Sequence, residues 1–325
     1  MKSVVEDIKK GSFKPVYLFY GEEAYLKQQY KNRLKNAVLP EGDTINLSIY
    51  SGKGIDVKEM IAQADTMPFF AEHRLLLIED SGFFKNANQQ LAEYIPSIPE
   101  ETIILFVESE VDKRGKLYKA VSKKGSVVEF TAQNEQTLTR WILGILKTEG
   151  KMITSGAMKQ FLEKTGTDME RIRQELEKLI CYCMEKESIT EEDVAVICSE
   201  QTENKIFDMI NAMAEKKQKK AMELYYDLLA LKEPPMRILY LITRQFNLLM
   251  QVKELSEEGY SAKTISERLK MAGFIVRNCL RQAEYFSLKT LKEALQDCVR
   301  MEEAVKTGRM NDVMSVELLL VKYSS

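Results

Sequence analysis

Short, continuous apolar runs recur through the first 135 residues of the chain, with helix-forming stretches between them. These runs occupy residues 16–20, 75–78, 102–107 and 126–130, and an alternating apolar pattern occupies residues 45–50. A fully apolar run is typical of a parallel strand that is covered on both faces. Because such strands are joined through right-handed helical crossovers, we expect an α/β domain with a parallel sheet of about five strands.

Helical patterns replace the strand signals after residue 130. Only 15 Gly and 7 Pro occur among 325 residues, which favours a high helix content. Helices are predicted at residues 137–148, 155–164 and 169–185. A further helix is expected to start with Thr190 as its cap and Asp193 at the third helical position.

From residue 205 to the end of the chain the pattern is helical throughout. The expected breaks in this region are at Pro234-Pro235, Gly259, Gly273 and Gly308. The predicted domains are therefore an α/β domain over residues 1–135, a small helical domain over 136–204 and a second helical domain over 205–325.

Charge and cysteine content exclude several classes of protein. The chain has 47 Lys and Arg residues and 49 Asp and Glu residues, which gives a net charge of −2. Because the chain as a whole does not attract DNA, any contact with DNA is expected to be local or shared with partners. Cys181 and Cys183 are spaced as C-x-C, and the only His of the sequence, His73, is far from them. We expect no metal site, and reduced thiols in a cytoplasmic protein. The sequence has no 18-residue apolar run and no signal peptide, so neither secretion nor membrane contact is expected.

The turn after the first strand is where a nucleotide-binding α/β domain carries its phosphate loop. That loop needs several glycines, a Lys and a Ser or Thr. Here one glycine, Gly21, is followed by Glu22 and Glu23, whose charges would repel ATP. Glu79 and Asp80 imitate the acidic end of a Walker B strand, but they lack a phosphate loop to act with. We predict no cofactor, no catalytic residues and no self-contained catalysis.

An apolar cluster, Met67, Pro68, Phe69 and Phe70, lies between a predicted helix and the strand that begins near Leu75. Because Pro68 fits neither a helix interior nor a central strand, this segment is expected to be a surface loop. Its two aromatic rings either fold under the sheet edge as core or insert into a pocket on a partner. The residues alone leave both interpretations open.

Segments along most of the chain resemble the delta subunit family of the bacterial DNA polymerase III clamp loader. The similarity is carried by their order and spacing between residues 16 and 287. The segments are residues 16–26, 67–70 with 74–77, 112–119, 175–179, 244–249 and 282–287.

This resemblance implies an AAA+-like fold without ATPase activity, followed by a lid domain and a collar domain that joins a pentamer. It implies that Met67, Pro68, Phe69 and Phe70 bind the sliding clamp, whose ring this subunit would open during DNA replication. Relatives can have Leu-Phe where this chain has Phe69-Phe70.

The resemblance further implies that Gly21, Glu22 and Glu23 are a degraded phosphate loop. ATP hydrolysis is implied to lie in sister subunits of the same DNA-directed DNA polymerase holoenzyme, a nucleotidyltransferase. Primer–template DNA is then an indirect partner, bound mainly by the assembled loader.

Two other functions remain open at this point. The chain could be an ATPase-active AAA+ sister subunit of the loader, which a measurable ATPase rate would indicate. It could also be a helical scaffold without a role in replication, which a failure to bind the clamp would indicate.

Overall fold

A five-stranded sheet forms the centre of the first of two units into which the chain folds, Met1–Gln133 and Asn134–Ser325. The computed structural model describes residues 1–86, 88–198 and 202–324. The strands are β1 (Val16–Tyr20), β2 (Leu47–Ser51), β3 (Arg74–Glu79), β4 (Thr102–Glu108) and β5 (Ser126–Glu129). Their order is β2-β3-β4-β1-β5 and every pair is parallel, which confirms the predicted fold class.

Helices cover both faces of this sheet, as the apolar strands require. They are α1 (Lys2–Lys10), α2 (Ala24–Val38), α3 (Val57–Ala64), α4 (Gln89–Tyr94) and α5 (Lys116–Lys124). Alternate strand residues such as Leu18 and Ile104 pack with Met60 of α3, Leu91 of α4 and Val121 of α5. These contacts fix the positions of the loops at both ends of the strands.

Two boundaries in this unit differ from the predicted ones because polar side chains bind the backbone first. The second strand begins at Leu47 rather than at Ile45, since the Asp43 carboxylate accepts hydrogen bonds from the Ile45 and Asn46 amides. The sequence pattern predicts the first long helix over residues 22–37, but it begins at Ala24, since the carboxylate of Glu23 accepts from the amide of Tyr25 and caps it. Helix α1, in which only Val4 is buried, was not predicted.

Within the described residues 134–198, the second unit has four helices and a small parallel pair of strands. They are α6 (Glu135–Thr148), β6 (Met152–Ile153), α7 (Ser155–Thr165), α8 (Met169–Tyr182), β7 (Ser188–Ile189) and α9 (Glu191–Ile197). The predicted capping box at Thr190 and Asp193 is confirmed, because both of its reciprocal hydrogen bonds are present. The two short strands were not predicted, since two residues are too few to show a pattern.

Seven helices lie within the described residues 202–324 of this unit. They are α10 (Thr202–Ala214), α11 (Gln218–Ala230), α12 (Pro235–Glu257), α13 (Ala262–Leu269), α14 (Gly273–Ala283), α15 (Leu288–Lys306) and α16 (Asp312–Ser324). The expected break at Gly273 is misplaced, because Gly273 is the first residue of α14 and the chain turns at Lys270, whose φ is 53°. No helix among the described residues is both long and apolar enough to cross a membrane.

Candidate partner-binding site

The loop between α3 and β3 holds two phenylalanine rings outside the core of the first unit. Phe69 is 56% exposed, Phe70 is 96% exposed, and Met67 beside them is 68% exposed. The two rings meet edge to face, with their centroids 4.6 Å apart. The interpretation in which both rings fold under the sheet edge is therefore wrong, and the expectation of a surface loop is confirmed. Pro68 is half-buried in the same loop.

A buried amide side chain holds this loop from below. Asn46, the residue before β2, is 2% exposed. Its Oδ1 accepts a hydrogen bond from the Phe69 amide at 2.7 Å, and its Nδ2 donates to the Phe69 carbonyl at 3.0 Å. Its second Nδ2 hydrogen bond goes to the carboxylate of Asp43 at 2.7 Å. One side chain thus satisfies both backbone polar groups of Phe69, as a neighbouring strand would.

The backbone beyond Phe69 is bent to present the second ring. Phe70 has a φ of 50°, in the left-handed region that residues other than glycine rarely adopt. Buried Arg74 at the start of β3 lies below, and its Nη2 donates to the carbonyl of Met67 at 3.4 Å. The ring of His73 packs edge-on against Phe13, with the centroids 5.8 Å apart. This arrangement leaves Met67 and the two rings as exposed apolar surface.

The turn after β1 is closed by the chain itself. Gly21 has a φ of 118°, and a Cβ at this position would collide with the carbonyl oxygen of Phe130. That carbonyl accepts from the Glu23 amide at 3.0 Å, while the Phe130 amide donates to Tyr20 at 2.7 Å. Glu22 is exposed on the outside of the turn. The helix N-terminus that would bind a phosphate is occupied by the carboxylate of Glu23.

Lysines of α2 reach the acidic residues at the carboxyl ends of the neighbouring strands. The Nζ atom of Lys31 lies 2.7 Å from Oε1 of Glu79, the residue predicted to imitate a Walker B acid. Lys27 Nζ donates to the carbonyl of Glu108 at 3.1 Å. Burial lowers the pKa of Lys27, against the opposing effect of Asp80, Glu108 and Glu23.

Glu108 at the end of β4 closes an apolar strand in the sequence as Glu79 does, and so it also imitates a Walker B acid. Burial raises the pKa of its carboxyl group, while hydrogen bonds from Ser81 and Gly82 act in the opposite direction. Its carboxylate accepts from the Ser81 hydroxyl and from the amides of Ser81 and Gly82. It therefore holds the turn after β3 rather than pointing into an open site.

The spacing of Lys27 is a signal that could have been found in the sequence. Lys27 follows Gly21 by six residues, as the lysine of G-x-x-x-x-G-K-[ST] follows its first glycine. Leu26 and Gln28 stand where that motif has Gly and Ser or Thr. In this chain those positions already belong to α2, so the residues of a phosphate loop form helical turns instead.

Among the described residues, no group of three or more His, Cys, Asp and Glu side chains is arranged to hold a metal ion. Cys183, Cys198, Cys279 and Cys298 are buried free thiols, and Cys181 is an exposed one.

Comparisons with known proteins point to one family along most of the chain. The model of the DNA polymerase III delta subunit matches residues 17–131, and the model of the C-terminal domain of that subunit matches residues 203–323. The DNA polymerase III subunit delta of Bacillus subtilis is 30% identical over 331 residues, which cover 98% of this chain and 95% of that protein. A probable DNA polymerase III subunit delta of Aquifex aeolicus is 21% identical over 257 residues, covering 75% of this chain and 72% of that protein.

A solved structure extends the similarity to the fold. The Bacillus subtilis DNA clamp loader delta protein matches with a TM-score of 0.70 and 30% identity, covering 99% of both chains.

Proposed function

Since the chain belongs to the family of DNA polymerase III delta subunits, we propose that it binds the sliding clamp and opens its ring as part of an ATP-driven clamp loader. The observation that carries this proposal is the exposed pair Phe69 and Phe70 on a loop that is held from below. The apolar surface of a phenylalanine side chain that is almost fully exposed can be buried only through contact with another molecule. In the proposed complex both rings enter an apolar pocket of the clamp, with Met67 and Pro68 at its rim.

The rings provide enough apolar surface for strong binding. Burying a phenylalanine side chain contributes about 1.5–3 kcal/mol. The loss of both rings is therefore expected to weaken binding by about 10²–10⁴-fold, because 1.4 kcal/mol corresponds to a factor of ten.

The subunit itself is proposed to lack ATPase activity. Three features support this: Glu23 caps the helix where a phosphate would bind, Gly21 is closed against Phe130, and Lys31 is paired with Glu79. ATP hydrolysis would then occur in sister subunits, and this subunit would act through the clamp contact.

The second unit is proposed to provide a lid over residues 136–204 and a collar over 205–325. Met314 and Leu318 are exposed one helical turn apart on α16, and exposed Tyr226 of α11 donates to Glu317 of the same helix at 2.7 Å. This face would pack against neighbouring loader subunits in a pentamer. Because the sequence has a net charge of −2, contact with primer–template DNA would be indirect.

A double substitution tests the clamp contact. Phe69→Ala with Phe70→Ala should reduce affinity for the purified sliding clamp by about 10²–10⁴-fold. The melting temperature should stay unchanged, because the rings lie outside the core. Affinity is measured by titration calorimetry, and ring opening by fluorophores placed across a clamp interface.

The matched control removes two exposed apolar side chains elsewhere, Tyr182→Ala with Met184→Ala. This control should keep its affinity and its melting temperature. Retained affinity in the phenylalanine variant would contradict the proposal, as would a loss of affinity that accompanies a collapsed melting transition.

A further inference from the structure

We propose that Asn46 is a positioning residue for partner binding, because it fixes the backbone of the loop that presents Phe69 and Phe70. This inference rests on the proposed function, since it concerns the same surface and the same partner. Asn46 lies 23 positions before Phe69 in the sequence, yet its amide group makes both hydrogen bonds to that residue.

The geometry limits Asn46 to an indirect role. The residue is 2% exposed, so its side chain is inaccessible to a partner. Its amide oxygen accepts from Phe69, and its amide nitrogen donates to Phe69 and Asp43. Asp43 is itself held by the amides of Ile45 and Asn46, at 3.0 Å each. Hydrogen bonds from Asp43 through Asn46 to Phe69 thus connect the start of β2 with the residue just before Phe70.

A fixed loop backbone strengthens binding because less conformational entropy is lost when the loop binds. A free loop has to lose conformational freedom when its rings enter a pocket, and a loop that is already ordered loses less. The need is greatest at Phe70, because its φ of 50° is rarely populated by a free chain. Asn46 holds the neighbouring residue, Phe69, in the arrangement from which Phe70 projects into solvent.

The first experiment measures the loop without any partner. In the full chain, Asn46→Ala should speed hydrogen exchange of the Phe69 amide, which loses its acceptor, while amides in β1 and β4 keep their protection. Unchanged exchange at Phe69 would overturn the proposal, whatever the fate of the clamp contact.

The second experiment measures affinity for the purified sliding clamp. Asn46→Ala is expected to weaken binding by about 5–30-fold, from two lost hydrogen bonds. Phe70→Ala is expected to weaken it by about 10–100-fold. If Asn46 acts through the two rings, adding Asn46→Ala to the double variant Phe69→Ala with Phe70→Ala should cost only about threefold or less. An equal loss in both backgrounds would overturn the positioning role, and so would no loss in the native background.

Asn88→Ala is the matched control for a merely structural effect. Asn88 caps α4 in the same unit, and its amide oxygen accepts from the Leu91 amide at 3.0 Å. This variant should also lower the melting temperature, because it loses a helix cap, but it should keep its affinity. If Asn46→Ala does not fold, Asn46→Leu, which is uncharged and close to Asn in shape but has neither the acceptor nor the donors, replaces it.

The two proposals fail in different ways. Native affinity in Phe70→Ala would contradict the clamp contact and this inference together. Lost affinity in Phe70→Ala with native affinity in Asn46→Ala would contradict this inference alone.

Discussion

The two ends of the sheet in the first unit differ in how they use their polar and apolar groups. At the carboxyl ends of the strands, the turn at Gly21 is closed by Phe130, and Lys31 pairs with Glu79. At the amino ends of β2 and β3, Asn46 fixes a loop whose rings are left in solvent. The polar groups at the carboxyl end are thus satisfied within the unit, while apolar groups at the amino end stay exposed to solvent.

This difference reverses the usual use of a parallel α/β sheet. Such sheets bind their ligands at the carboxyl ends of the strands, next to helix N-termini. Here that end is filled by the protein's own carboxylates and lysines. The exposed apolar surface lies at the opposite end, so the fold is retained while the proposed site of action has moved.

The largest expected effect on stability comes from opening the closed turn. Gly21→Ala places a Cβ against the Phe130 carbonyl at a φ of 118°, and should lower the free energy of unfolding by about 2–5 kcal/mol. Gly11→Ala is the control, because Gly11 also has a positive φ but nothing within 4 Å of the added carbon, so it should cost about 1–2 kcal/mol. Urea denaturation measures both, and equal costs would show that the turn is not closed by Phe130.

A smaller effect is expected from the ion pair at the same end. Lys31→Met leaves the carboxylate of Glu79 without its 2.7 Å partner, and should lower the free energy of unfolding by about 1–3 kcal/mol. Adding Glu79→Gln should recover part of this loss. Lys85→Met is the control, because its pair with Glu110 has the same length but is exposed, and its removal should change stability too little to resolve. Equal losses in the two lysine variants would mean that the Lys31 pair acts as an ordinary surface pair.

No binding of ATP to this chain is expected. Titration calorimetry of the chain with MgATP should show no binding heat, because a carboxylate occupies the helix N-terminus where a phosphate would lie. The positive control is the same titration of a clamp loader ATPase subunit with MgATP under the same buffer conditions. Micromolar affinity for the nucleotide would remove the contrast between the two ends of the sheet.

The sequence predicted the features whose causes are local. The run at 16–20 is apolar at every position, so β1 was placed with its observed bounds. The capping box of Thr190 and Asp193 depends on residues three positions apart, and it too was found. Helix α1 was missed, because only one of its residues is buried and its pattern is dominated by charge.

The features that were missed at the candidate site depend on contacts between distant segments. The pairing of Lys31 with Glu79 joins residues 48 positions apart. The residues adjacent to each in the sequence do not indicate that the two side chains pair. Asn46 falls inside the predicted strand pattern 45–50, and nothing in the sequence distinguishes it until the fold brings Phe69 to it. The exposure of Phe70 was also undecided, because an aromatic pair in a loop has the same sequence whether it packs inward or outward.

The early start of α2 has a consequence for nucleotide binding. To recover a nucleotide site, the chain would have to unwind the first turn of this helix, replace Glu23 and release both Lys27 and Lys31 from their acceptors. Each of these changes alone removes a stabilising contact without creating a phosphate site. A phosphate loop at this turn would therefore require several of these changes together, because each one alone costs stability.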